Sequence, residues 1–180
     1  LDLGPAVEGH LRVFSPFARQ IRFAGLLPVP PRGADLDAAL EALPAHAGHP
    51  YDVVLTWDLL DRLRPEERPT LIRRLDELTG PGARLYAAVD ASEGSTIQPL
   101  RFSLLGRERL CQQAVGPPEK APVRLLPAQV ERLLLPFEVI HAFTVRMGYR
   151  EYVAVKGGVA DSVPPWPKDT PGSRRSRPRP

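Results

Sequence analysis

Two short stretches of this chain carry residue types that could do chemistry. They are Leu1-Asp2-Leu3-Gly4-Pro5-Ala6 and the run from Tyr51 to Leu63, Tyr-Asp-Val-Val-Leu-Thr-Trp-Asp-Leu-Leu-Asp-Arg-Leu. In the first, Gly4 follows a strand end, where a glycine lets the backbone turn sharply and approach a ligand closely. Asp2 is then either a carboxylate bordering that ligand or a turn residue bonding local amides. In the second, the apolar run Val53 to Leu55 reads as a strand buried on both faces, as in a parallel sheet. Ligands of open α/β sheets bind beyond the carboxyl ends of such strands, so Trp57 and Asp58 would face a crevice. The plainer alternative is a strand–loop–helix joint in which Trp57 caps the core and Asp58 is the N-cap of the next helix.

The elements that must position these residues alternate along the chain. Glu8 to Phe17 is expected as a short helix and Ile21 to Leu27 as a second strand, closed by Pro28, Pro30 and Pro31. Asp35 is a plausible N-cap for a helix with Leu36, Ala39, Leu40 and Leu43 on one face. After the Tyr51 strand comes a helix over Glu66 to Leu78, with Pro69 in its first turn. Gly80-Pro81-Gly82 stops that helix, and Arg84 to Val89 is a further strand. Residues 92–126 show apolar anchors but no clear period. Pro127 opens a helix to Leu135, and Glu138–Val145 with Arg150–Lys156 suit an antiparallel hairpin. Asp61, Arg62 and Arg64 read as a solvated helix face. His10, His46, His49 and His141 are scattered without a catalytic grouping, and Tyr86, Tyr149 and Tyr152 read as sheet packing.

Composition narrows the classes. At 180 residues the length suits one domain, and 43% hydrophobic with 25% charged residues is ordinary for a globular chain. No apolar stretch is long enough for a membrane span, and no secretory signal is visible. Leu1 opens inside an apparent strand, from which an upstream segment is expected. The single Cys111 cannot close an internal disulfide, and no Cys/His cluster has metal spacing, so a cytoplasmic setting without a metal is expected. The net charge of +3 belongs to the tail: Lys168, Arg174, Arg175, Arg177 and Arg179 outweigh Asp161 and Asp169, and residues 1–160 balance. The body therefore gives no electrostatic reason to expect nucleic acid. The Pro-, Ser- and Arg-rich residues 158–180 are expected to be disordered.

Over residues 1–157, the order of motifs resembles the class I S-adenosylmethionine-dependent methyltransferases. Leu1–Ala6 looks like the glycine-rich first motif, Tyr51–Leu60 is similar to the fourth-strand motif, and Leu78-Thr-Gly-Pro-Gly-Ala-Arg-Leu85 resembles the Pro-Gly-led entry to the fifth strand. The resemblance implies an α/β, Rossmann-like, mostly parallel sheet with helices on both faces and a C-terminal antiparallel hairpin. It implies S-adenosylmethionine as cofactor, bordered by Asp2, Gly4, Pro5, Ala6, Gly25 and Trp57, with Asp58 and Leu59 on the substrate side. Methyl transfer from a sulfonium needs alignment more than a triad, so no catalytic residue is singled out. The acceptor, small molecule or protein, is left open.

The chain departs from the family pattern at three places. Ala6 stands at the second glycine position. Gly25 stands where the second strand usually ends in a ribose-binding acid, with no carboxylate before Asp35. The segment between Leu43 and Tyr51 is too short for a full third strand and helix. These departures keep a second reading in play, a methyltransferase-like domain serving binding or assembly without catalysis. A nucleotide-binding oxidoreductase ranks third, because Gly4-Pro5-Ala6-Val7-Glu8-Gly9 meets Gly-x-Gly-x-x-Gly only in its outer glycines.

Overall fold

The computed structural model describes residues 1–27, 30, 33–43, 49–92, 94, 96–106, 109–145 and 148–157. The elements are α1 (Glu8–Phe14), α2 (Ala34–Glu41), β1 (Tyr51–Trp57), α3 (Leu59–Arg62), α4 (Arg68–Leu78) and β2 (Thr79–Asp90). They continue with β3 (Thr96–Ile97), β4 (Leu100–Leu104), β5 (Leu110–Ala114), β6 (Glu119–Lys120), α5 (Pro127–Leu134), β7 (Phe137–Thr144) and β8 (Tyr149–Lys156).

The main sheet has the order β1-β2-β8-β7. β1 and β2 are parallel, and β8 runs antiparallel to both β2 and β7. Two parallel bridges extend it past β1: Asp2 pairs with Leu55 on one side and Phe23 on the other. Counting those segments, the order is Phe23, Asp2, β1, β2, β8, β7, and β8 alone runs against the rest. The chain adds its second segment outward from the first, then crosses back to place β1 on the first segment's other side. That reversal makes the Asp2–β1 seam a topological switch point.

The expected second strand over Ile21–Leu27 is reduced to the bridge at Phe23, held by Asp2 N–H to Arg22 O at 2.8 Å and Ala24 N–H to Asp2 O at 2.8 Å. Several boundaries also shift. Gly33, with φ 52°, occupies the N-cap of α2 in place of Asp35, which lies exposed in the first turn. β2 begins at Thr79 rather than Arg84, so the Gly80–Gly82 turn is absorbed into the strand edge. Residues 92–126 form two small antiparallel pairs, β3 with β6 and β4 with β5. His46, Pro28, Pro31 and the tail 158–180 lie outside the described residues.

α4 packs on β2 and on both α2 and α5, and α5 packs on β7. Apolar spacing explains α4: Leu71, Ile72, Leu75 and Leu78 are buried at i, i+3 and i+4 intervals, with Pro69 harmless in the first turn. Leu85, Ala87, Tyr152 and Ala154, which share a sheet face through the β2–β8 register, are buried. The other face is thinly covered among the described residues. Its row Leu55, Tyr86, Val153 is half-buried, and His141 is exposed. Val53 is 43% exposed, which corrects the expectation of a β1 buried on both faces. No helix among the described residues is long and apolar enough to cross a membrane.

Candidate functional site

At the switch point, Asp2 is the hub. Its Oδ1 accepts the Gly4 N–H at 2.8 Å and the Trp57 indole N–H at 2.6 Å. Its Oδ2 lies 2.7 Å from His10 Nδ1. Gly4 turns the chain out of the first strand, and α1 then carries His10 back over the carboxylate. Asp2 and His10 are both buried, and Nε2 of His10 has no partner. The carboxylate thus binds three of the chain's own donors, holding the glycine turn, the end of β1 and the inner face of α1 together.

Trp57 sits at the end of β1 with φ 52°, a left-handed backbone that a bulky side chain adopts only when its surroundings over-determine it. The surroundings here are the Asp2 bond and a stack of rings. His10 lies at 5.0 Å and 24° on one side, and Phe102 of β4 at 5.1 Å and 16° on the other. Tyr86 meets the indole edge-on at 5.4 Å.

Two glycines complete the seam. A Cβ on Gly4 would come within 3.1 Å of Asp2 Oδ1 and 3.3 Å of the Trp57 ring, so a side chain there would press on the hub. Gly25, at φ 66°, donates its N–H to Gly4 O at 3.0 Å and has nothing within 4 Å of where its Cβ would stand. Pro5 is half-buried against the crevice and Ala6 is exposed.

The crevice lined by Gly4, Pro5, His10, Trp57 and Phe102 holds about 10 Å³, room for one water. On its backbone side, Asp2 and Trp57 already fill the space where a Gly4 Cβ would stand, and neighbouring Gly25 faces open space. Its ring side is full, and a nucleoside does not fit while Phe102 lies on Trp57. Phe102 is carried by the β4–β5 hairpin, which meets α1 so closely that a Cβ on Gly9 would stand 2.2 Å from Leu104 O.

Asp58 and Leu59 point elsewhere. Asp58 occupies the N-cap position of α3 but makes no side-chain cap bond. Its Oδ2 instead accepts Arg62 Nε at 2.9 Å and Nη2 at 2.5 Å, with both side chains buried. Burial raises the Asp58 pKa against the pull of Arg62. Leu59 is fully buried in the core. Asp61 is buried too, accepting the Asp90 N–H at 2.6 Å, and burial lifts its pKa to about 7. The expectation of a solvated face over Asp61 and Arg62 is therefore corrected: all four residues of α3, packed on β2 and β1, are buried, and Arg62 reaches across to Gln98 O. Arg64 is partly exposed and grips Glu67 at 2.6 Å.

His10 and Phe102 are the site residues that sequence reasoning missed. His10 stands one turn before Phe14, a weak sign that it shares that helix face; Phe102 alternates with Leu100 and Leu104, which marks a strand but not its contact with Trp57. No group of three or more His, Cys, Asp or Glu among the described residues could hold a metal ion.

No protein-family model matches the chain, and no curated protein matches it. Among solved structures it is similar to the glycopeptide N-methyltransferase MtfA complexed with S-adenosyl-L-homocysteine, at 18% identity over 69% of this chain and 70% of that one, with a TM-score of 0.41. It is also similar to the Burkholderia thailandensis 1,6-didemethyltoxoflavin-N1-methyltransferase (18% identity, 79% of this chain, 54% of that one, TM-score 0.43). A third likeness is to the pyocyanin biosynthetic protein PhzM (16% identity, 65% of this chain, 32% of that one, TM-score 0.42).

Proposed function

We propose that this chain is an S-adenosylmethionine-dependent methyltransferase domain whose cofactor crevice is covered by its own β4–β5 hairpin. The observation that carries the reading is the switch point: Gly4, Gly25 and Trp57 meet at one carboxyl edge, on the seam where the strand order reverses. The motifs Leu1–Ala6, Tyr51–Leu60 and Leu78–Leu85, which carry the family resemblance, supply that seam and its neighbour β2.

The cofactor would bring the activated methyl group, and the chain would bind, orient and exclude water. Gly25 offers a close backbone approach, Gly4 carries the turn beside it, and Asp2 fixes that turn rather than reaching a ligand itself. Trp57 offers a flat apolar surface once Phe102 leaves it. As folded, the crevice is too small for the cofactor, so binding requires the hairpin to lift.

The second reading, a binding or assembly domain without catalysis, would leave the ring stack closed as folded. The ribose-side position bears on it too, because Asp35 and Asp37 stay exposed on α2 and bring no carboxylate to Gly25. Calorimetric titration with S-adenosylmethionine, S-adenosylhomocysteine and NAD separates the readings. Saturable binding of either sulfur ligand, with none of NAD, is expected; failure of both at millimolar concentration removes the enzyme reading.

A further inference from the structure

Away from the switch point, a groove of about 310 Å³ lies between the start of α4 and the segment entering α5. Arg68, Arg124, Gln129 and Arg132 line it together with apolar Val123 and Leu133, and no carboxylate does among the described residues. A groove of this volume is in the range that takes a small ligand.

The three guanidinium groups are held differently. Arg68 is buried and fixed, its Nε on Leu60 O at 2.8 Å and Leu63 O at 3.1 Å and its Nη2 on Val123 O. Arg124 donates Nη2 to Ser92 Oγ at 3.2 Å and stands 3.9 Å from Asp90, while its buried Nε has no acceptor. Arg132 is exposed on α5. Three cations around one groove repel one another, and an oxyanion in the groove relieves that repulsion. The neighbouring walls are not polar: Val123 is 54% exposed and Leu133 half-buried.

We propose that this groove is a binding site for a small amphiphilic anion, with a carboxylate or phosphate head on Arg124 and Arg132 and an apolar body on Val123 and Leu133. The site is separate from the switch-point crevice and does not depend on what that crevice binds. Guanidinium groups suit either head because their planar fork matches both oxyanions.

Octanoate and octyl phosphate, titrated by calorimetry into the whole chain, test the proposal and distinguish the two heads. Saturable binding of at least one is expected, weakened by about tenfold in Arg132→Gln and again in Arg124→Gln, as loss of one charge-assisted bond implies. Inorganic phosphate and octanol, each lacking one half of the ligand, should bind more weakly. Because Arg132 is exposed, Arg132→Gln spares the fold, and its unchanged melting temperature is the control. Absence of saturable binding by both probes, equal affinity in Arg132→Gln, or octanol binding as tightly as the anions would overturn the proposal.

Discussion

Trp57 donates its indole N–H to Asp2 Oδ1 across 2.6 Å, joining residues 55 positions apart at the seam where the strand order reverses. The same oxygen holds the Gly4 N–H, so one atom ties the end of β1 to the glycine turn.

Asp2→Ala should therefore cost more than an ordinary strand-end substitution. It leaves the Gly4 N–H and the Trp57 indole N–H buried without acceptors, each worth about 1–3 kcal/mol. A loss of about 2–5 kcal/mol in urea unfolding is expected. A change under about 1 kcal/mol would mean that water replaces the carboxylate and that the hub is not structural.

Gly9→Ala should reverse the usual sign. Alanine in a helix interior normally stabilises by about 1 kcal/mol over glycine. Here the new Cβ would stand 2.2 Å from Leu104 O, a backbone atom, so α1 and the β4–β5 hairpin must separate. Lower stability and faster amide exchange over residues 100–114 are expected; a stabilised protein would show that the hairpin does not pack there.

Phe102→Ala should tighten binding of S-adenosylhomocysteine. The ring stack on Trp57 is worth about 0.5–1.5 kcal/mol beyond area burial, and any ligand taking that surface must first displace it. An affinity increase of up to about tenfold by calorimetry is expected. Weaker binding would make Phe102 part of the ligand surface instead of its cover.

Much of this site was legible in the sequence, and the reasons are physical. A polar break after an apolar run places Trp57 at a strand's carboxyl end, and a glycine after a strand places Gly4 at a turn. What was not legible depends on tertiary direction. His10 reaches Asp2 only because α1 rotates that position inward. Phe102 alternates with Leu100 and Leu104 along β4, which marks a strand face, but the sequence does not say that this face lies on Trp57. Arg62 sits four residues from Asp58, a spacing that on most helices marks a solvated ion pair; α3 has no exposed side, and the pair is buried. Val53 shows the reverse error, since apolar type alone does not reveal that no described helix covers it.

Stability should depend on pH through Asp61. Burial lifts its pKa from 3.8 to about 7, while the Asp90 N–H pulls it down and the Asp58 and Asp90 charges push it up. Between those values the folded chain holds a proton that the unfolded chain has released, so stability falls as pH rises through the window and levels off above it. The span is on the order of 4 kcal/mol. Asp61→Asn, which keeps an acceptor for the Asp90 N–H, should flatten that slope when urea unfolding is compared across the window; an identical slope in both proteins would place the Asp61 proton elsewhere.

Amide chemical shifts test the proposed cofactor crevice at the Gly4–Gly25–Trp57 seam at the atoms concerned. Addition of millimolar S-adenosylhomocysteine should move the Gly4 and Gly25 amide signals and the Trp57 indole N–H saturably, with the residues of β4 following as the hairpin lifts. Unmoved signals at all three positions, with the protein folded, would contradict the claim.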